Sequence, residues 1–240
     1  MRGVPHYLLD VANPRKPFSV SEYKKLATNS LQYIAVKDKL PIVVGGTGFY
    51  IDTLAGKVNF PDVRPNPELR KKLAKKSAEE LFQILQKKDP RRARTIDSKN
   101  KVRLIRALEI IEAIGKVPVP KSNPSRNFIY IGLKPDNINE RIYKRLSLRL
   151  GPMIREGRKL HTQGLTYRRM NELGLEYRYI ALYLQGKLSR QEMADKLFIE
   201  IKRYAKRQMT WFKRNKKIRW FKPNEFKNIT EYARMALLGD

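Results

Sequence analysis

The sequence predicts an α/β protein with an inserted helical unit and a helical C-terminal part. Three observations predict it. The apolar run Leu40-Pro41-Ile42-Val43-Val44 follows a helical pattern and ends in glycines, as a parallel strand buried on both faces does. A second run, Phe128-Ile129-Tyr130-Ile131-Gly132-Leu133, reads as another strand. Between them the chain has helical periodicity, and beyond Asp136 it reads as successive helices.

Residues 1–17 read as loop and strand punctuated by proline. Ser19 and Glu22 have capping-box spacing, and Val20, Tyr23, Ala27, Leu31 and Ile34 then recur on one helical face. The strand at 40–44 comes next, and Gly45-Gly46-Thr47 turns the chain into a further helix. Residues 66–115 read as a basic, all-helical unit. Ser77 and Glu80 form its capping box, and Asp89-Pro90 opens a short helix. Asp97 caps a longer helix, with Val102, Ile105, Leu108 and Ile111 on one side and Gly115 at its end. Residues 117–127, with three prolines, form the return linker. A third capping box, Ser189 and Glu192, opens a helix running to about Arg214. A short strand at 217–221 and a terminal helix at 225–238 complete the chain. The expected division is a core of residues 1–62 and 126–240 around a helical insertion of residues 63–125.

Composition narrows the function. The 240 residues hold 52 Lys+Arg against 23 Asp+Glu, a net charge of +29. Such an excess opposes compaction by self-repulsion, and a polyanionic partner is its economical explanation. Aromatics interleaved with the cations and the lack of a lipidation signal favour nucleic acid over a membrane surface. With no cysteine there is no disulfide framework and no thiolate nucleophile or ligand, and two histidines are too few for an all-imidazole zinc site. No stretch approaches the roughly 20 apolar residues that cross a bilayer. A cytoplasmic monomer is expected.

Several groupings could carry chemistry. Gly45-Gly46-Thr47 sits where open α/β sheets bind ligands, with glycines that permit close backbone approach and a threonine hydroxyl facing the crevice. An ordinary strand-to-helix turn with a threonine cap has the same spacing. The sequence has no G-x-x-x-x-G-K-[ST] phosphate loop. Arg103 and Arg106, at i and i+3 after Lys99, share a face opposite the apolar stripe, suited to phosphate contact or simply to solvent. Residues 202–219 contain nine Lys/Arg. There Lys206, Arg207, Lys213 and Arg214 could form a polyanion track, while Trp211 could equally be core. His161 reads as a packing or surface residue, and His6, near Asp10, could bond a carboxylate.

Four strings in order resemble one family, the tRNA dimethylallyltransferases (tRNA isopentenyltransferases). They are Gly3-Val4-Pro5-His6-Tyr7-Leu8-Leu9-Asp10, then Leu40 through Gly45-Gly46-Thr47-Gly48-Phe49-Tyr50. Asn100-Lys101-Val102-Arg103-Leu104-Ile105-Arg106-Ala107-Leu108-Glu109 and Lys206-Arg207-Gln208-Met209-Thr210-Trp211 follow. Each string alone is modest; the ordered set is highly specific.

The resemblance implies a core like a phosphate-loop NTPase and an insertion that grips the anticodon stem-loop of tRNA. It implies transfer of a dimethylallyl group from dimethylallyl diphosphate, with Mg²⁺, to N6 of the adenosine 3′ of the anticodon. By position, Thr47 is the expected catalytic residue beside the flipped adenosine. Gly45, Gly46, Tyr177 and Arg178 are expected at the substrate, and Arg70, Arg103, Arg106, Lys206 and Arg207 on the tRNA. Glu176 departs from the pattern, standing where the family usually has glycine. The family's initial strand, phosphate loop and Asp-Ser element, with the expected general base, have no counterpart in the 240 residues. The expectation is therefore an N-terminally truncated chain that binds tRNA with weak or no activity alone. The alternative is a non-catalytic RNA-binding protein derived from that family. A DNA-binding helical regulator fits less well, because no helix-turn-helix with a dimerisation element stands out.

Overall fold

The computed structural model describes residues 3–58, 60–119 and 127–239. Most of the proline-bearing linker lies outside the described residues. The elements are α1 (Val20–Ala35), α2 (Gly48–Leu54), α3 (Pro67–Leu73), α4 (Ala78–Lys88), α5 (Pro90–Ala93) and α6 (Lys101–Ile114), then β1 (Tyr130–Leu133). They continue with α7 (Ile138–Thr162), α8 (Tyr167–Leu173), α9 (Leu175–Leu184), α10 (Arg190–Phe212), β2 (Ile218–Phe221) and α11 (Phe226–Leu238). The protein is thus α/β, mostly helical, with a small parallel sheet. The chain divides into two units, Met1–Ala55 with Ser125–Asp240, and Gly56–Pro124.

In the first unit β1 pairs with β2 in parallel, Tyr130 opposite Ile218 and Leu133 opposite Phe221. A parallel pair needs a long crossover, and α7 through α10 supply it. Those helices bury Leu146, Leu150, Leu165, Met170, Ile180, Met193 and Leu197 in one core. Ala27 and Leu31 of α1 bury against Leu54 of α2. Arg169 ties the N-terminal segment down, donating to the carbonyls of Pro14 and Lys16, each at 2.8 Å.

The capping boxes at Ser19/Glu22, Ser77/Glu80 and Ser189/Glu192 all form, each serine accepting from the glutamate N–H while the glutamate accepts from the serine N–H. Each satisfies two N–H groups that a helix start would leave without partners.

Four expectations change. Residues 40–44 form no strand: Leu40, Ile42 and Val44 are 60%, 78% and 91% exposed. Apolar character favours a strand only where a neighbour accepts and donates along its edge. Among the described residues the only ladder is β1 with β2. Residues 3–17 form turns and irregular backbone instead of a strand. Asn100, not Asp97, caps α6 by accepting from the Arg103 N–H at 3.2 Å. Asp97 instead accepts from the Lys99 N–H in a local turn.

The buried stripe of α6 loses its first expected residue: Val102 is 77% exposed. Leu108 and Ile111 are buried and Ile105 packs against the core, joined by Leu104 and Ala107 in a wider stripe facing Leu81 and Leu85.

The second unit is organised around a buried carboxylate. Glu109 Oε1 accepts from the Asn66 N–H at 2.7 Å and from Arg70 Nε at 2.7 Å. Its Oε2 accepts from Arg70 Nη2 at 2.8 Å and from Arg106 Nη1. Burial alone would push this carboxyl up, but the bonds from Arg70, Asn66 and Arg106 outweigh it and hold the pKa at about 2.

A folded-state pKa below the unfolded value gives stability that is complete above the ordinary carboxylate range and lost as pH falls toward about 2. Acid titration followed by circular dichroism should show the Gly56–Pro124 unit losing about 3 kcal/mol between pH 5 and 2 from this group. The loss should be smaller in Glu109→Gln. An equal acid loss in that variant would remove Glu109 as its cause.

Candidate functional site

The loop before α2 meets the last turns of α10. Gln208 Nε2 donates to the Gly46 carbonyl at 2.8 Å, and Trp211 Nε1 donates to Asp52 Oδ2 at 2.8 Å. Gln208 and Trp211 stand at i and i+3, so they share a helix face. The glycines make the approach possible. A Cβ on Gly46 would lie 2.1 Å from Gln208 Nε2, and one on Gly48 would lie 2.2 Å from Trp211 Cδ1. Trp211 is half-buried, with Phe49 edge-on at 6.3 Å and the Arg214 guanidinium over its ring at 4.0 Å. It is a wall of the site as well as a packing residue.

Thr47 occupies the N-cap position of α2 and is exposed, with no side-chain capping bond. Its hydroxyl thus lies at the surface beside the Gly46–Gln208 contact. Gly45 is exposed and Gly46 partly so.

Along α10, Arg203, Lys206, Arg207, Thr210, Trp211 and Arg214 line a groove of about 520 Å³. Arg203 is paired with Glu200 at 2.5 Å, and Arg207 lies over the Tyr204 ring at 5.8 Å. Lys206 has no carboxylate partner among the described residues. Cations next to flat rings suit a phosphate and a stacked base. A second cavity, about 470 Å³, is lined by Leu146, Met153, Leu175, Ile201 and Tyr204, with Arg145, Arg149 and Glu176 among its polar groups.

Tyr177 and Arg178 lie on α9. Tyr177 donates to Glu156 Oε1 at 2.6 Å; burial first, then this bond, pushes its phenol up to about 12. It therefore acts as a neutral hydrogen-bond donor at neutral pH. Arg178 is exposed. Glu176 stands in the first turn of α9, where a carboxylate complements the helix N-terminus. The unusual backbone belongs to Gly174 (φ +81°, ψ −166°), a conformation essentially reserved for glycine.

In the other unit the three arginines expected on RNA differ. Arg103 is exposed and has no side-chain partner among the described residues. Arg70 is partly exposed but engaged by Glu109 through two bonds. Arg106 does not share the open face of Arg103: it turns to Glu109 and donates to the Val63 carbonyl at 2.9 Å. His6 bonds the Val4 carbonyl, not a carboxylate, and His161 packs on Tyr167 at 3.9 Å.

Asp52, Gln208, Glu109 and Glu156 were not singled out by sequence. The Gly46-x-Gly48 spacing and the Gln208–Trp211 offset were the available signals. Their pairing across 162 and 159 positions was not one.

The sequence profile described as IPP transferase matches residues 1–215. The chain belongs to the IPP transferase family. It is 38% identical to the tRNA dimethylallyltransferase of Pelotomaculum thermopropionicum, over 97% of this chain and 77% of that protein. The tRNA dimethylallyltransferase of Caldanaerobacter subterraneus subsp. tengcongensis is 36% identical, over 96% and 78%. Among solved structures, the full-length tRNA isopentenylpyrophosphate transferase of Bacillus halodurans matches with TM-score 0.67 and 32% identity, over 98% of this chain and 78% of that one. A eukaryotic dimethylallyltransferase acting on tRNA shares the fold, with TM-score 0.79 at 20% identity, over 99% of this chain and 64% of that one. Within the IPP transferase family, the motif order therefore corresponds here to a physical contact: the glycine-bearing loop packs on the Gln208–Trp211 face.

Replacing Gly48 by alanine should cost about 1–3 kcal/mol and alter tryptophan fluorescence, because the indole is rigid and held by Asp52. Gly46→Ala should cost about 1 kcal/mol, since the end of a flexible glutamine can swing away with loss of one bond. Thermal unfolding of both variants checks this; equal costs would count against the Trp211 contact as the tighter constraint.

Proposed function

We propose that the chain is a tRNA dimethylallyltransferase that places a dimethylallyl group on N6 of the adenosine 3′ of the anticodon. The observation that supports this most is the meeting of the Gly45-Gly46-Thr47 loop with the cationic groove of α10. It brings an exposed hydroxyl, a glutamine, an aromatic wall and several cations to one surface of the first unit. In the transfer, the bond from the prenyl carbon to the diphosphate oxygen breaks and a bond to N6 forms. The amine loses a proton, and the diphosphate leaves with its charge.

In this reading the Thr47 hydroxyl orients the exocyclic amine, and Lys206 and Arg207 meet phosphate charge. Gly45 and Gly46 keep the loop low enough for the substrate to approach. Tyr177 and Arg178 contact the nucleotide from α9, and Arg103 and Arg70 give the other unit its RNA-facing charge, with Arg106 adding to the local positive field from its seat on Glu109. The protein acts as a cytoplasmic monomer.

Mg²⁺ is expected with the diphosphate. Among the described residues no group of three or more His, Asp or Glu side chains could hold a metal ion.

These 240 residues contain no phosphate-loop string. The chain alone is proposed to bind tRNA while transferring little or no prenyl group. Incubation with tRNA and radiolabelled dimethylallyl diphosphate tests both halves. Retention of tRNA with negligible label transfer is expected. Full turnover would overturn the low-activity half of the reading, and failure to bind tRNA would overturn the whole reading.

Arg103→Ala should weaken anticodon-hairpin binding and reduce the slope of log affinity against log salt by about 0.7–0.9, the loss of one phosphate contact. An unchanged slope would take Arg103 off the RNA surface. Thr47→Ala should leave hairpin affinity within about twofold in the same titration. A larger loss of affinity together with a lowered melting temperature would make Thr47 a structural cap.

A further inference from the structure

We propose that Glu109 is a positioning residue for RNA binding: from its buried seat on α6 it orients the Arg70 and Arg106 guanidiniums and so presents the free edge of Arg70 to a phosphate. This rests on the reading of the Gly56–Pro124 unit as RNA-binding.

The Glu109 side chain is 1% exposed, whereas that of Arg70 is 44% exposed. Both carboxylate oxygens are fully used, Oε1 by the Asn66 N–H and Arg70 Nε, Oε2 by Arg70 Nη2 and Arg106 Nη1. An arginine has five N–H donors in one plane. Arg70 directs its Nε and Nη2 edge inward at 2.7 and 2.8 Å. The Nη1 edge has no bond among the described residues. Arg106 is pinned at both ends, by Glu109 and by the Val63 carbonyl.

Two guanidiniums against one carboxylate leave the cluster with a net positive charge. A free arginine side chain loses considerable rotamer entropy when it grips a ligand, and a fork held in advance loses less. The Asn66 bond also fixes the start of α3, the helix that carries Arg70. Glu109 thus sets both the backbone and the side-chain plane of one cation. The bound carboxylate remains ionised at neutral pH, so this geometry persists across the physiological range.

Simple electrostatics makes the opposite prediction, because removing a negative charge should strengthen binding to a polyanion. That opposition makes the test sharp. Anticodon-hairpin binding by the 240-residue chain should be measured across a salt series for Glu109→Gln, Arg70→Lys, Arg70→Ala and the Arg70→Ala/Glu109→Gln double variant, with melting curves in parallel. Glu109→Gln should bind about tenfold more weakly despite its more positive net charge. Arg70→Lys should show a similar loss, because an ammonium keeps the charge but cannot take the two-pronged geometry. The double variant should bind no more weakly than Arg70→Ala alone.

A folded Glu109→Gln protein that binds as tightly as the parent, or more tightly, overturns the proposal. If that variant does not fold, Arg70→Lys decides, and unchanged affinity there overturns it. If Arg70→Ala leaves both affinity and salt slope intact, the RNA-binding reading of Arg70 itself fails. If Arg70→Ala weakens binding while Glu109→Gln does not, only the positioning role fails.

Discussion

Helix α10 can reach the loop before α2 and the first residue of α2 only because side chains are lacking there at two positions. With Gly46 and Gly48 in place, Gln208 and Trp211 close onto the backbone, and the indole N–H finds the Asp52 carboxylate. The contact orders everything around it. It exposes Thr47 at the start of α2, gives the cationic groove an aromatic wall, and leaves the ring free to carry the Arg214 guanidinium. A methyl group at either glycine would push the helix or its side chains away.

Charge is spent in two different ways. Most of the 52 Lys and Arg side chains have no acidic partner to meet, since there are only 23 Asp and Glu. The acids that exist are used sparingly and locally. Several close capping boxes, Glu109 gathers two arginines, and Asp89 accepts from the Arg92 and Val117 N–H groups. What remains is a surface of uncompensated cations, including Arg103 on α6 and Lys206 on α10. Repulsion among them is tolerated because each unit has its own apolar core.

Local signals are largely legible in the sequence, and long-range ones are not. The three capping boxes, the helix stop at Gly115, the strand at 130–133 and the last strand all follow from residues within a few positions of one another. Residues 40–44 failed as a strand because apolar composition does not supply a hydrogen-bonding neighbour. On α6 the spacing identifies Ile105, Leu108 and Ile111 as core-facing, but only contact with α4 shows that Leu104 and Ala107 join them and that Val102 does not. Arg106 resembled a free surface cation until Glu109 and the Val63 carbonyl were seen to hold it.

By itself the sequence determined the α/β class, the helical starts, the cationic excess and, through ordered motifs, the family. These depend on bonds between near neighbours or on sums over the whole chain, which need no knowledge of folding. Tertiary structure alone decided which cations are free, which glycines admit a neighbouring helix and which carboxylate sits beneath the arginines. Those outcomes depend on partners brought together from 39 to 162 positions away, and a partner at that distance is chosen by packing, not by spacing.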